Sequence, residues 1–299
     1  MTGKDRTKDK FLAQLNVCSE VTKDKLKKIC LQRDDSPLSE AIKYALLGGG
    51  KGLRSFLAIK SSEIFDVPHE QAIQCAAAIE CIHSYSLVHD DLPAMDNDDL
   101  RRGKPTVHKK WDEATAILVG DGLQALAFEI LSQKETHRNP EIRLDLINSL
   151  AVASGINGMV GGQALDIIAE KSLTALDLNS IKKMQSLKTG ALFTWATEVG
   201  PRLSQNDIKP FTNFACCMGL AFQIQDDILD VVGKTEETGK ALRKDGNAGK
   251  ATFVSLLGLS DAKKKAVLLI EQANKNIEKY GEKAAMLREL AKFCVERGF

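Results

Sequence analysis

Apolar residues recur at helical spacing along most of the chain. The apolar positions in residues 71–89 follow this spacing, beginning with Ile73 and with Ala76 and Ala77, which lie three and four positions later. The same spacing is found in 113–131, 142–169, 180–199, 207–232 and 261–280. Alternating runs of β-branched residues, which are typical of strands, are nearly absent. The pattern predicts an all-α fold of about ten helices.

Two helical segments are apolar nearly all round. Residues 71–90 and 207–230 lack a continuous polar face, which predicts that both helices are central in the fold. No low-complexity linker and no repeat of about 20–50 residues interrupts the chain. We therefore predict one domain over residues 1–299, in which residues 1–34 form an N-terminal helical segment.

Residues 146–165 carry no formal charge over a length that could span a bilayer. Amide side chains and glycines interrupt this segment, however, and Asp145 and Asp166 bound it. We therefore expect a helix buried inside the protein, in which the glycines let a neighbouring helix approach closely.

Composition excludes several function classes. The 41 Lys and Arg nearly balance the 40 Asp and Glu, so no global field attracts nucleic acid or an acidic membrane. We expect neither a nucleic-acid partner nor integral membrane association. The 7 cysteines form no C-x-x-C motif and fit reduced, apolar use. The polar start MTGKDRTKDKF has no apolar signal core, so we predict a cytoplasmic protein.

The stretch DDLPAMDNDDLRRG, which begins at Asp90, concentrates negative charge. Asp90 and Asp91 end a predicted helix, and a regular helix would not bring Asp96 to the same face as Asp90. Pro93 interrupts the helical hydrogen bonds, so we expect a turn at 92–94 that returns Asp96 toward Asp90. The D-x-D-x-D-G spacing of a calcium loop is missing.

A second acidic stretch, QIQDDILD, begins at Gln223. On a helix Asp226, Asp227 and Asp230 project from one side, and Gln223 lies one turn earlier. Buried like charges cost roughly several kcal/mol unless they are neutralised. Protonation of one aspartate would relieve the repulsion, but we favour a divalent cation as the neutralising group. The apolar flanking residues argue against a solvated acidic face. Carboxylate oxygens are hard ligands that suit magnesium.

Basic residues accompany both acidic stretches. Lys51 and Arg54 follow glycines in GGGKGLRS, which lacks the Walker spacing but permits close approach to phosphate. Arg101 and Arg102 end the first stretch. Four bases follow the second: Lys240, Arg243, Lys244 and Lys250. Singly such groups are typical of solvated surfaces, but together they indicate a magnesium-binding ligand with surplus negative charge, such as a diphosphate.

These motifs resemble the aspartate-rich motifs of trans-isoprenyl diphosphate synthases, above all the bacterial farnesyl type. DDLPAMDNDDLRRG, QIQDDILDVVG, GGGKGLR and KTGAL carry the resemblance, which covers about residues 35–299. It implies an isoprenoid-synthase-type bundle of mostly antiparallel helices around a central cavity, usually in a homodimer. It also implies Mg²⁺-dependent head-to-tail condensation of isopentenyl diphosphate with dimethylallyl or geranyl diphosphate, which gives farnesyl diphosphate and diphosphate.

The resemblance also implies site residues. Those that match the isopentenyl diphosphate site are Lys51, Arg54, His83 and Arg102. Those that match the magnesium ligands are Asp90, Asp96 and Asp226, supported by Asp91, Asp227 and Asp230. Those on the allylic side are Arg101, Lys188, Thr189, Gln223, Lys240 and Lys250. Those in a G-Q-x-x-D element that lines the cavity are Gly162, Gln163 and Asp166.

The implied mechanism needs no side-chain nucleophile. Magnesium neutralises the allylic diphosphate so that its carbon–oxygen bond ionises, and the isopentenyl double bond attacks the cation. The departing diphosphate then removes a proton. The Lys188 carbonyl, the Thr189 hydroxyl and the Gln223 amide can direct oxygen dipoles at the cation in a dry cavity. Tyr85, five residues before Asp90, is expected to block growth beyond fifteen carbons.

Some positions depart from the family pattern. Gly52 and Ser55 stand where the family commonly has arginine and proline, so we expect binding to persist on a less rigid loop. The ERGF terminus lacks the basic residue that often ends such chains. The sequence therefore makes no prediction about whether a lid closes over the active site.

Four alternative functions remain. A geranylgeranyl diphosphate synthase differs only in product length. A class I terpene cyclase has no need for a second diphosphate pocket, so Lys51, Arg54 and His83 argue against it. A silent regulatory subunit tends to lose its aspartate motifs, and both are intact here. The surrounding bases argue against a metal-buffering acidic protein.

Overall fold

The structure is a computed structural model that describes residues 3–32, 35–171, 177–232 and 252–296. Most of these residues are helical. The first helices are α1 (Gly3–Leu31), α2 (Pro37–Leu47), α3 (Leu53–Ile64), α4 (His69–Asp90), α5 (Val107–Lys110), α6 (Glu113–Ser132) and α7 (Pro140–Ser154). The later helices are α8 (Met159–Lys171), α9 (Leu178–Gln185), α10 (Ala191–Leu203), α11 (Lys209–Val232), α12 (Phe253–Leu257), α13 (Leu259–Asn276) and α14 (Ala285–Glu296).

Four short elements complete the described chain. Strands β1 (Leu100–Arg101) and β2 (Lys104–Pro105) pair antiparallel just after the first acidic stretch. A π-helical turn at Ser186–Gly190 joins α9 to α10, and a 3₁₀ segment at Glu278–Ala284 precedes α14. The all-α prediction is therefore confirmed for the described residues.

The chain divides into two compact units. Unit 1 comprises Met1–Asn148 and Val199–Asn206, and unit 2 comprises Ser149–Glu198 and Asp207–Phe299. The expectation of a single domain stays a prediction.

In unit 1, α4 is buried nearly all round, as its apolar pattern predicts. Its residues 75–79 are fully buried and mostly small, which lets α3 and α6 pack closely against it. The Phe11 ring of α1 meets the Phe56 ring of α3 edge to face, with centroids 5.4 Å apart. This packing fixes the helix that ends at Asp90.

In unit 2, α11 buries one face against α13 and α14. The buried positions recur every three or four residues, beginning with Phe211, Phe214 and Met218. Cys216 lies on the opposite side and is exposed, so α11 is less completely buried than α4. The buried face holds the aspartates of the last two turns in place.

The expected continuous helix over 142–169 is wrong. It is divided into α7 and α8 by a turn at 155–158, where glycines weaken the helix. Ile156 in this turn is 81% exposed, so the uncharged segment is not a wholly buried helix either. By length and composition alone, α6 could cross a membrane, a test that core helices of soluble proteins also meet.

Candidate active site

The first acidic stretch folds back on itself, as Pro93 predicts. After α4 ends, the backbone N–H of Asp96 donates to the Asp90 carbonyl at 2.8 Å. The N–H groups of Met95 and Asn97 both donate to the Leu92 carbonyl, at 2.9 and 3.1 Å. The turn therefore returns the backbone of Asp96 to the end of α4.

Asp91 has a partner that the sequence did not reveal. It is 3% exposed, and the Arg101 Nε lies 2.8 Å from both of its carboxylate oxygens. Burial alone would lower the pKa of Arg101, but the hydrogen bond and charge of Asp91 outweigh it and raise the pKa. Asp98 lies 3.9 Å from Arg101 and adds only its charge. A carboxylate engaged in this way offers little to a metal, so the ligand role of Asp91 stays a prediction.

Three of the predicted diphosphate-binding groups interact electrostatically in unit 1. Arg54 lies in the first turn of α3, and His83 lies on α4. A Cβ at Gly50 would stand 2.9 Å from both terminal nitrogens of Arg102, so that guanidinium lies against the glycine backbone. Lys51, between these groups in the sequence, is exposed.

The clustered cations perturb each other. Burial lowers the pKa of Arg54 to about 10; the charge of Glu80 opposes this shift and that of Arg102 adds to it. Burial also lowers the pKa of His83 well below its ordinary value, helped by the charges of Arg54, Arg102 and Arg101. His83 is therefore neutral at pH 7. The positive charges of the neighbouring arginines favour the binding of an anion at this cluster.

Packing explains why Gly52 replaces the family's arginine. Gly52 precedes α3 with a left-handed backbone (φ 63°), which glycine adopts without strain. A Cβ there would stand 2.9 Å from the Cβ of Ser19 on α1. Glycine at this position therefore allows α1 to pack closely beside the loop.

Tyr85 is packed tightly one and a half turns before Asp90. It is 5% exposed, and its ring meets that of His89 edge to face with centroids 5.9 Å apart. The Nε2 of His89 lies 3.1 Å from the Ile117 carbonyl, and a Cβ at Gly120 would stand 1.9 Å from it. Burial raises the pKa of Tyr85, so its phenol is neutral. No sequence pattern indicates these supports, because they depend on how α6 packs against α4.

The second acidic stretch lies on the last two turns of α11. Asp226, Asp227 and Asp230 are all half-buried, on one continuous helix as predicted. An Oδ2 of Asp227 accepts the backbone N–H of Phe253 at 2.6 Å, and Phe253 is the first residue of α12. Asp227 therefore holds the beginning of α12, and its role toward a metal stays a prediction.

The G-Q-x-x-D element positions Lys188. A Cβ at Gly162 would stand 2.1 Å from the Lys188 backbone nitrogen, so only glycine lets α8 approach that closely. The Nζ of Lys188 lies 2.5 Å from Asp166. Lys188 and Thr189 lie in the π-helical turn, a form that is frequent at functional sites. The helical prediction for 180–199 is therefore confirmed, although its spacing did not indicate the π-helical turn.

Four predicted bases lie outside the described residues: Lys240, Arg243, Lys244 and Lys250. The ERGF terminus lies outside them from position 297. Among the residues that the structure does describe, no group of three or more His, Cys, Asp or Glu could hold a metal by itself. Magnesium commonly binds through one or two carboxylates together with waters and substrate phosphates. The hard oxygens of Asp90, Asp96 and Asp226 fit that manner of binding.

Comparison with known proteins gives consistent matches. A family model described as polyprenyl synthetase matches residues 35–290. A farnesyl diphosphate synthase of Escherichia coli (strain K12) is 44% identical, covering 96% of this chain and 99% of that protein. A geranylgeranyl diphosphate synthase of Cyanophora paradoxa is 38% identical, covering 98% of each. An FPP/GFPP synthase of Zymomonas mobilis, 44% identical, superposes with a TM-score of 0.85 over 95% of this chain and 99% of that one. These matches confirm the isoprenoid-synthase-type fold class.

Proposed function

The chain belongs to the polyprenyl synthetase family of prenyltransferases, and on that premise we propose that it makes farnesyl diphosphate. It would condense isopentenyl diphosphate head to tail with dimethylallyl or geranyl diphosphate and release diphosphate. Relatives from Haemophilus influenzae and Geobacillus stearothermophilus, 44% and 40% identical, carry the name farnesyl diphosphate synthase and support this product.

One observation in the structure carries the proposal. Helix α4 holds His83 beside the cations, Asp90 at its C-terminal end, and the buried ring of Tyr85 between them. A predicted diphosphate-binding histidine, a carboxylate suited to magnesium and a bulky stop therefore share two turns of one helix. Prenyl chain elongation with a limited product length needs these three functions together.

The residues of unit 1 would bind and orient the isopentenyl diphosphate. Arg54 and Arg102 offer guanidinium groups that can bind phosphate oxygens in pairs, and neutral His83 can donate one N–H. Lys51, which is exposed on the glycine loop, would reach the same diphosphate. Binding of the diphosphate would reduce the repulsion between these positively charged side chains, which favours the anion over water at this site.

Asp90, Asp96 and Asp226 would hold the magnesium ions. When bound, magnesium supplies charge neutralisation of the diphosphate leaving group. Lys188, fixed by Asp166, would bind an allylic diphosphate through its ammonium group. The Lys188 carbonyl, the Thr189 hydroxyl and the Gln223 amide would face the allylic cation with oxygen dipoles.

An elongation assay tests the proposal. The purified protein is incubated with magnesium, labelled isopentenyl diphosphate and dimethylallyl or geranyl diphosphate, and the products are identified by chromatography. A fifteen-carbon diphosphate is expected. No elongation would contradict the proposal, a twenty-carbon product would favour geranylgeranyl synthesis, and a cyclic hydrocarbon would favour a terpene cyclase.

Replacement of Tyr85 tests the product length separately. Tyr85→Ala should yield products longer than fifteen carbons, because it removes a buried ring below the aspartates. Tyr85→Phe is the matched control and should keep the fifteen-carbon product, since the ring rather than the hydroxyl blocks the chain. An unchanged product distribution in Tyr85→Ala would place the stop elsewhere.

Location and assembly remain predictions. We propose a cytoplasmic homodimer with isoprenoid diphosphates as its substrates and without a nucleic-acid or integral membrane partner. Size-exclusion chromatography with light scattering would measure the oligomeric state directly.

A further inference from the structure

We propose that Glu80, fixed by Ser55, is a positioning residue that orients Arg54 and Arg102 for the isopentenyl diphosphate. The inference rests on the function proposed for this site. It assigns a purpose to Ser55, which stands where the family commonly has proline.

The first turn of α3 needs a hydrogen-bond acceptor. Its N-cap residue, Gly52, has no side chain with which to cap the helix. Helix N-termini leave backbone N–H groups without partners inside the helix, and they favour nearby negative charge. An acceptor from elsewhere in unit 1, or water, can therefore bind these N–H groups.

Glu80 of α4 supplies that acceptor. Its Oε1 accepts the Ser55 backbone N–H at 3.3 Å and the Ser55 hydroxyl at 2.5 Å. Ser55 is 1% exposed, so both bonds are shielded from water. A proline at this position would provide neither donor. The pair ties the residue after Arg54 directly to the helix that carries His83.

Glu80 also opposes the positive charge of the cluster. Its carboxylate raises the pKa of both Arg54 and Arg102 against the burial that lowers them. Arg102 in turn lowers the pKa of Arg54, which is the signature of two like charges held close together. A carboxylate fixed to Ser55 therefore favours an arrangement in which both guanidinium groups stay close enough to share one diphosphate.

Two roles for Glu80 predict opposite results. If it positions the arginines, Glu80→Gln should weaken the binding of isopentenyl diphosphate. If it only reduces the local positive charge, the same change should tighten the binding of this anion. The sign of the change in KM therefore decides between them.

Initial rates with each substrate varied in turn provide the measurement. We expect Glu80→Gln to raise KM for isopentenyl diphosphate about tenfold, the factor for one hydrogen bond or ion pair to a charged group. KM for geranyl diphosphate and kcat should change less than about threefold. A lower KM for isopentenyl diphosphate, or equal increases for both substrates, would overturn the proposal.

Variants of Ser55 separate the hydrogen bonds from the charge. Ser55→Thr keeps both donors and should behave like the natural protein. Ser55→Ala loses the hydroxyl and should raise KM for isopentenyl diphosphate about threefold, and Ser55→Pro should raise it further. Equal KM values across the series would refute the role of Ser55. Glu63→Gln, at an exposed carboxylate that pairs with Lys60 on α3, is the control and should leave KM unchanged.

A binding measurement keeps the inference apart from the proposed function. Calorimetric titration with inorganic diphosphate, without magnesium, reads the cation cluster with no turnover. Weaker binding by Glu80→Gln than by Glu63→Gln supports the positioning role even if the natural protein shows no elongation. Equal affinity in the two variants would contradict it. If Glu80→Gln does not fold, Ser55→Ala, which keeps the charge, carries the same comparison.

Discussion

The two acidic stretches use the same Asp-Asp pair in different backbones. In unit 1 the pair Asp90–Asp91 ends a helix and is followed by a tight turn, whereas in unit 2 the pair Asp226–Asp227 lies within a continuous helix. In both, the second aspartate binds another part of its own unit. Asp91 binds Arg101, and Asp227 accepts the backbone N–H of Phe253. In each pair the second carboxylate contacts the protein, and the first is the predicted metal ligand.

The partners differ because the degree of burial differs. Asp91 is 3% exposed, and a charge so deeply buried must be paired with an opposite charge. Asp227 is only half-buried, and it accepts a backbone N–H at the beginning of a helix. The scaffold role should therefore be more sensitive to substitution in unit 1 than in unit 2.

The largest expected effect comes from the first aspartate of each pair. Asp90→Asn and Asp226→Asn should each lower kcat about 10²–10³-fold, since they weaken charge neutralisation of the leaving group. Radiometric elongation assays at saturating substrate measure the loss. If either variant stayed within tenfold of the natural kcat, the two pairs would not be equivalent in catalysis.

Asp91→Asn should mainly reduce stability. It removes the nearest charged partner of the partly buried Arg101 guanidinium, which should lower the free energy of unfolding by about 2–3 kcal/mol. Urea unfolding followed by circular dichroism measures the change. The double variant Asp91→Asn/Arg101→Gln should recover part of the loss, because it also removes the unpaired charge. No recovery would mean that the pair is not coupled.

Substitution of Asp227 should show the weaker scaffold role. Asp227→Asn keeps an oxygen acceptor for the Phe253 N–H and should unfold within about 0.5 kcal/mol of the natural protein. Asp227→Ala removes the acceptor and should cost about 1 kcal/mol. The same urea experiment compares them. A loss for Asp227→Asn as large as that for Asp91→Asn would abolish the contrast between the two units.

The smallest effect is a pH dependence that belongs to unit 1, since all five histidines lie there. The pKa of His83 is depressed in the folded protein, so below about pH 6.5 the unfolded chain binds a proton that the folded chain does not. Stability from this group is complete above pH 6.5 and falls as the pH is lowered. Between pH 6.5 and 5.5 the loss should be about 1 kcal/mol.

His83→Gln should flatten that slope, because glutamine does not titrate. Thermal unfolding of both proteins at several pH values measures the difference, and the remaining four histidines serve as an internal control. Parallel curves would show that burial and the neighbouring cations do not depress the pKa of His83.

Much of the site was predictable because its causes are local. Helical spacing alone places Asp226, Asp227 and Asp230 on one side of α11. Pro93 cannot continue a helix, which is enough to predict the turn that returns Asp96 to Asp90. Such effects act over a few residues, so they do not depend on how the helices later pack.

The sequence by itself therefore determined the all-α class, the helix that carries each acidic stretch, and the types of residue that are predicted to bind diphosphate and magnesium. Only the tertiary structure decided which of those residues face a protein partner. The pairs Asp91–Arg101, Asp166–Lys188 and Ser55–Glu80 are 10, 22 and 25 positions apart. Helical periodicity relates residues only a few positions apart, so it cannot predict pairs at such separations. The close approach of backbones and the need to pair buried charge settle them once the helices have packed.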